Sequence, residues 1–240
     1  MRRGLLLLAL LAGSVASTAT AGADRVGYSC AEGADVSFRA ADGTKLIGHL
    51  FGSGRTVVIL GHQSQGSLCE WVPYARRLAR LGYTAFAIDF RSHGLSQARA
   101  GTAGNRLASD LDGAATLVRK RGKQKVFFVG ASMGGLASLV AGASVKPAVD
   151  GVVSVSGPAR FMGMNAVATA KRLRVPVLYV AAEDDDNAGY DFSDDAREMY
   201  AATAATDKRL QVLPGGQHGV ALVAGSARAR ALIEAFLRTH

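Results

Sequence analysis

A chain of 240 residues with 49 % hydrophobic and 20 % charged content is too apolar to be disordered and long enough to bury a substantial core, and its length suits one α/β domain. The formal charge of +9 is scattered in small clusters, Arg76-Arg77, Arg119-Lys120-Arg121 and Lys171-Arg172-Arg174, which are expected at solvent-facing helix ends, and no nucleic-acid motif accompanies them. Internal repeats, low-complexity blocks and Pro/Ser-rich linkers are absent, and no run reaches the ~18 apolar residues that a spanning helix requires.

The first element is a leader. Arg2-Arg3 forms a short basic region, Leu5 to Ala12 an apolar core, and Ala21-Gly22-Ala23 a small-x-small cleavage site ahead of Asp24. Residues 1–23 are therefore expected to be a signal peptide and residues 24–240 the mature domain, with Ser17-Thr18-Ala19 as a second cleavage site and an uncleaved anchor as the alternative. The general secretory route is expected, giving a secreted or periplasmic protein. Loss of Arg2 and Arg3 lowers the net charge by two, to +7. In an oxidising compartment Cys30 and Cys69, which have no third competitor, are expected to form a disulfide, with two separate buried thiols as the alternative. Closing a loop of that length contributes about 4 kcal/mol in the chain-entropy model.

Further along, apolar Val/Ile/Leu/Phe runs alternate with Ala/Leu/Arg-rich segments. That alternation predicts a mostly parallel sheet covered by helices on both faces. The strand Val126-Phe127-Phe128-Val129 runs into Gly130-Ala131-Ser132-Met133-Gly134 and then into an Ala/Leu-rich helix. In a Gly-x-Ser-x-Gly turn of this kind the glycines leave room for a sharp bend that lifts the serine hydroxyl clear of the sheet. The N–H of the next residue, Met133, then sits at the positive end of a helix. Gly151 to Ser156 reads as a strand, and the segment from it to Val175 is too short for a separate domain. Val175 to Ala182 reads as a buried parallel strand ending in Glu183-Asp184-Asp185-Asp186. After one more helix and the strand Leu210 to Leu213, the loop Pro214-Gly215-Gly216-Gln217-His218-Gly219 brings a histidine to the same edge.

The order serine, acid, histidine at successive strand ends resembles the α/β-hydrolase family. The resemblance covers nearly the whole mature chain. Ala41 to Leu50 resembles the family's first antiparallel hairpin, Thr56 to Gln63 its next strand and oxyanion loop, and Trp71 to Tyr83 its first helix. Asp89-Phe90-Arg91-Ser92-His93-Gly94-Leu95-Ser96 is similar to the family's Asp-x-Arg-Gly-His-Gly-x-Ser turn, with Ser92 in place of a glycine, and Gly61-His62 stands where the family usually reads His-Gly. The resemblance implies an α/β-hydrolase fold without a cap domain, related in layout to dienelactone hydrolases and lipases, though the former typically carry cysteine where this chain has Ser132.

It also implies roles. Ser132 would be the nucleophile and His218 its base, with His62 the rival histidine. Asp185 aligns with the family's acid, while Asp184 and Asp186 stay open. The N–H groups of Met133 and Gln63 would hold the oxyanion. Such a site requires no metal and no organic cofactor. Its expected partner is a small-molecule acyl substrate, a carboxylic ester of short to medium chain, with Phe161, Met162 and Met164 as candidates to line the acyl pocket. Other acyl chemistry on the same residues (peptidase, thioesterase or perhydrolase) and a catalytically silent binding role are the alternatives.

Overall fold

The computed structural model of the chain describes residues 28–33, 35–97, 106–187 and 189–240. The expected leader over 1–23 lies outside the described residues. Eight strands form one sheet: β1 (Val36–Arg39), β2 (Lys45–Phe51), β3 (Thr56–Gly61), β4 (Thr84–Ile88), β5 (Lys125–Ala131), β6 (Gly151–Val155), β7 (Val177–Ala182) and β8 (Lys208–Leu213). Their spatial order is β1-β2-β4-β3-β5-β6-β7-β8. Pairings β1–β2 and β2–β4 are antiparallel, and every pairing from β4 through β3 to β8 is parallel. The stretch Ala41 to Leu50, expected as a whole hairpin, supplies only the turn and second strand, because β1 lies upstream of it.

Side-chain alternation explains why both faces are covered. On β3, Val57 and Ile59 join one apolar cluster while Val58 and Leu60 join the other; β5 splits in the same way, with Val126 and Phe128 against Phe127 and Val129. Helices α1 (Val72–Arg80), α6 (Gly219–Gly225) and α7 (Ala227–Thr239) close the second cluster through Leu78, Leu222 and Ile233. Helices α2 (Leu107–Lys120), α3 (Met133–Gly142), α4 (Ala166–Ala170) and α5 (Phe192–Ala202) close the first through Leu111, Leu136, Ala166 and Met199. Central strands that are apolar on both faces are what a doubly covered parallel sheet demands.

Between β6 and β7 the chain makes only a two-residue ladder, Arg160–Phe161 with Met164–Asn165, and the five-residue α4. Among the described residues there is no cap domain. A second two-residue ladder, Asp186–Asn187 with Tyr190–Asp191, follows β7. Among the described residues no helix is long and apolar enough to cross a membrane.

A covalent link joins Cys30 to Cys69, Cα atoms 5.7 Å apart. It ties the segment before β1 to the short helical turn Leu68–Trp71 that precedes α1. The same region is knotted by Asp89, whose carboxylate accepts the N–H groups of Leu68 (2.8 Å) and Leu95 (2.9 Å) and the hydroxyl of Tyr28. Behind it, the fully buried Arg91 guanidinium donates to Asp110 (2.5 Å) and Asp42 (2.9 Å). Ser92, in place of the expected glycine, takes a left-handed φ of 63° in that turn.

Candidate active site

Ser132 sits between β5 and α3 with φ 51° and ψ −119°, a conformation that costs a non-glycine residue on the order of 1–3 kcal/mol. Two contacts enforce it. A Cβ on Gly130 would overlap the Gly134 carbonyl, and one on Gly134 would overlap the Gly61 carbonyl at the end of β3. Both motif glycines thus permit the close approach of strand, turn and helix. The Ser132 N–H donates to Val155 O (2.8 Å), fixing the turn to β6. As the first residue of α3, Met133 has an N–H with no intrahelical acceptor.

Asp185 and His218 come together as the sequence order predicts. His218 Nδ1 lies 2.9 Å from Asp185 Oδ1 and 3.0 Å from Oδ2. Asp185 is 2 % exposed, whereas its neighbours Asp184 and Asp186 are exposed to solvent. Of the three acids left open by the sequence, Asp185 is the one that meets the histidine. The loop carrying His218 is held by the two N–H groups that follow it. Gly219 N–H donates to Ser156 Oγ (3.0 Å), and Val220 N–H donates to the Gln63 side-chain carbonyl (3.2 Å). Ser156 is fully buried at the end of β6 with φ 47°. Neither Ser156 nor the Gln63 side chain is detectable as a positioning group in the sequence, since each acts on a partner 63 and 157 residues away.

Ser132 and His218 line one cavity of about 300 Å³. Gln63, Ser64 and Gln65 supply polar lining, and Pro158, Phe161, Tyr190 and Phe192 apolar and aromatic lining. Of the three residues expected to line an acyl pocket, only Phe161 does. Met164 is 6 % exposed within the core, and Met162 is 40 % exposed on the surface, because the tight turn of the Arg160–Asn165 ladder points successive residues in different directions. The sequence reasoning missed Tyr190 and Phe192, which stand just past the acid cluster.

His62 is not placed as a base. Its ring is buried against Phe90 and His93, with Nδ1 2.7 Å from Gln63 O and Nε2 accepting the Phe90 N–H at 3.1 Å. That pattern requires the neutral ring protonated on Nδ1, consistent with a pKa pushed down to about 4 by burial and by neighbouring His93. Its place is structural: it fixes the Gln63 peptide. Glu70 lies next to Gln63; burial pushes its carboxyl up and the Gln63 amides draw it part of the way back. Among the described residues no group of three His, Cys, Asp or Glu side chains is arranged to hold a metal ion.

The sequence profile of the serine aminopeptidase S33 family matches residues 52–163, somewhat under half the chain, from just after β2 into the ladder beyond β6. No curated protein matches. Solved structures share the fold. A Pyrococcus furiosus esterase is 20 % identical, with 85 % of this chain and 91 % of that one covered and a TM-score of 0.72. A thermophilic esterase from Thermogutta terrifontis is 15 % identical over 86 % of this chain and 99 % of its own, with a TM-score of 0.72. The enol-lactonase from Burkholderia xenovorans is 16 % identical over 84 % and 99 %, with a TM-score of 0.69. Likeness of fold to these structures agrees with a profile match running through the serine turn, and the chain has the α/β-hydrolase fold.

Proposed function

We propose that this α/β-hydrolase is a secreted carboxylesterase acting on esters of short to medium acyl chain. The observation that carries the reading is the convergence of a strained Ser132 and an Asp185-paired His218 on one cavity. In this mechanism Ser132 Oγ attacks the ester carbonyl carbon as His218 Nε2 takes its proton, and Asp185 holds the Nδ1–H tautomer and stabilises the imidazolium. The Met133 N–H receives the oxyanion, and the Gln63 N–H, which meets the Glu70 carboxylate in the structure, turns from it to act as the second donor. Collapse breaks the C–O bond, His218 returns the proton to the departing alcohol, and water repeats the sequence on the acyl-enzyme to release the acid.

An aminopeptidase would need a carboxylate for the substrate's α-ammonium group, and among the described residues lining the cavity none is acidic. The fold relatives named as esterases support the ester reading in the same direction.

The test is hydrolysis of nitrophenyl acyl esters of graded length by wild type and Ser132→Ala. Turnover that peaks at short to medium chains and drops at least ~1000-fold in Ser132→Ala is expected. Turnover equal in the variant would remove Ser132 from the mechanism, and faster cleavage of aminoacyl anilides would replace the esterase by a peptidase.

A further inference from the structure

We infer that the cavity is built for an aromatic alcohol component, an aryl or arylmethyl ester, bound against Phe161 and Tyr190; this deepens the esterase reading and rests on it. The leaving oxygen must lie within hydrogen-bond reach of His218 to receive its proton when the C–O bond breaks. Whatever group that oxygen carries is therefore next to the residues packed around the imidazole. The ring packed on the imidazole is Phe192, and two further rings continue from it. Phe192 lies 4.2 Å from the His218 ring, Tyr190 stacks on Phe192 at 5.6 Å with 23° between planes, and Phe161 meets Tyr190 edge-on at 6.4 Å and 73°. Phe192 is buried, but Phe161 and Tyr190 are half-buried and face the cavity.

The rest of the lining from Gln63, Ser64 and Gln65 is polar and carries no ring, which leaves the rings to the alcohol and the polar side chains to the acyl part. A planar aromatic group gains edge and face attraction from such a ladder beyond the area it buries, and a saturated ring of similar size does not. The alcohol is also uncharged. No Asp, Glu, Lys or Arg side chain lines the cavity among the described residues, and several charged groups of the same segments are paired with one another or with backbone. Arg160 pairs with Glu198 (2.8 Å), Arg197 pairs with Glu183 (3.0 Å), and the Asp195 carboxylate accepts the Ala159 N–H (3.0 Å). About 300 Å³ accommodates one ring and a short acyl group.

The experiment compares kcat/KM for benzyl acetate and cyclohexylmethyl acetate, each divided by its rate of alkaline hydrolysis to cancel intrinsic reactivity. The wild type should favour the benzyl ester by about fivefold or more. Tyr190→Leu and Phe161→Leu should each bring the ratio close to one, and Tyr190→Phe should keep it. A ratio near one in the wild type with Ser132-dependent turnover, or a ratio unchanged in both leucine variants, would overturn the aromatic site while leaving the esterase standing. If neither ester is turned over, saturation-transfer NMR of benzyl alcohol and cyclohexylmethanol on Ser132→Ala protein decides. Selective contact with benzyl alcohol supports the site, and equal contact or none refutes it.

Discussion

Individual residues divide here into those whose chemistry is written in local spacing and those defined by distant partners. Ser132, His218 and the acid cluster belong to the first kind, because a Gly-x-Ser-x-Gly turn and two loops after strands are visible without a fold. His62 belongs to the second kind. Its ring is fixed by a donor 28 residues away, and only that contact separates a structural histidine from a base. A pH consequence follows for stability. The folded His62 pKa of about 4 lies below the ~6.5 of an unfolded histidine, so the unfolded chain binds more protons between these values. The contribution is therefore complete above about pH 6.5 and is lost as pH falls toward 4, amounting to about 3 kcal/mol. Urea unfolding at pH 7 and pH 4.5 should show this loss in wild type and a smaller one in His62→Gln. Glu70 and Asp89, both raised by burial, act with the opposite sign in each protein and cancel in the comparison.

Ser156 gives a second test at the same scale. Removing its hydroxyl leaves the buried Gly219 N–H without an acceptor, at a cost of about 1–3 kcal/mol, and releases one of two anchors on the His218 loop. Ser156→Ala should lower kcat about tenfold with KM little altered. Ser156→Gly, which relaxes the left-handed backbone but also lacks the hydroxyl, should share the kinetic loss. Full activity in both variants would show that the Gln63 side chain alone holds the loop.

At the scale of elements, the strands and helices were legible wherever apolar runs met glycine or charge, and their ends were not. The helix expected from Trp71 to Tyr83 is α1, Val72–Arg80, stopped before Gly82, whose φ of 89° no other residue adopts cheaply. The two-residue ladders around Phe161 and Tyr190 were invisible, since neither is long enough to show a period of two. Cys30–Cys69 was foreseen from compartment and count, and the structure adds what it holds: the segment bearing Tyr28, against the turn that leads into α1. Reduction should lower the melting temperature by roughly 10 °C, from about 4 kcal/mol of lost loop constraint. Thiol titration of unreduced native protein should find no free sulfhydryl, and two titratable thiols would refute the link.

For the whole molecule, the mostly parallel sheet covered on both faces was the part most fully readable, because alternation of buried strands with helices leaves few topologies, whereas the order of the strands came only with the structure. The order β1-β2-β4-β3-β5-β6-β7-β8 sets Ser132, Asp185 and His218 at the carboxyl ends of β5, β7 and β8, the edge where parallel sheets gather ligands. Export belongs to this scale too. We propose that the leader is cleaved after Ala23, and N-terminal sequencing of protein recovered from outside the cytoplasm should begin at Asp24; recovery of Met1 at the terminus would mean an uncleaved anchor.

The two ladders that carry Phe161 and Tyr190 stand outside the eight-stranded sheet, and among the described residues no backbone hydrogen bond joins either to it. Replacing Tyr190 leaves the serine turn, the Asp185–His218 pair and both apolar layers as they are, whereas Phe161 also packs against the first apolar cluster. On the proposed reading, selectivity in this chain can drift under selection, or be redirected by a designer, chiefly through the half-buried Tyr190 while the chemistry and the fold stay constant.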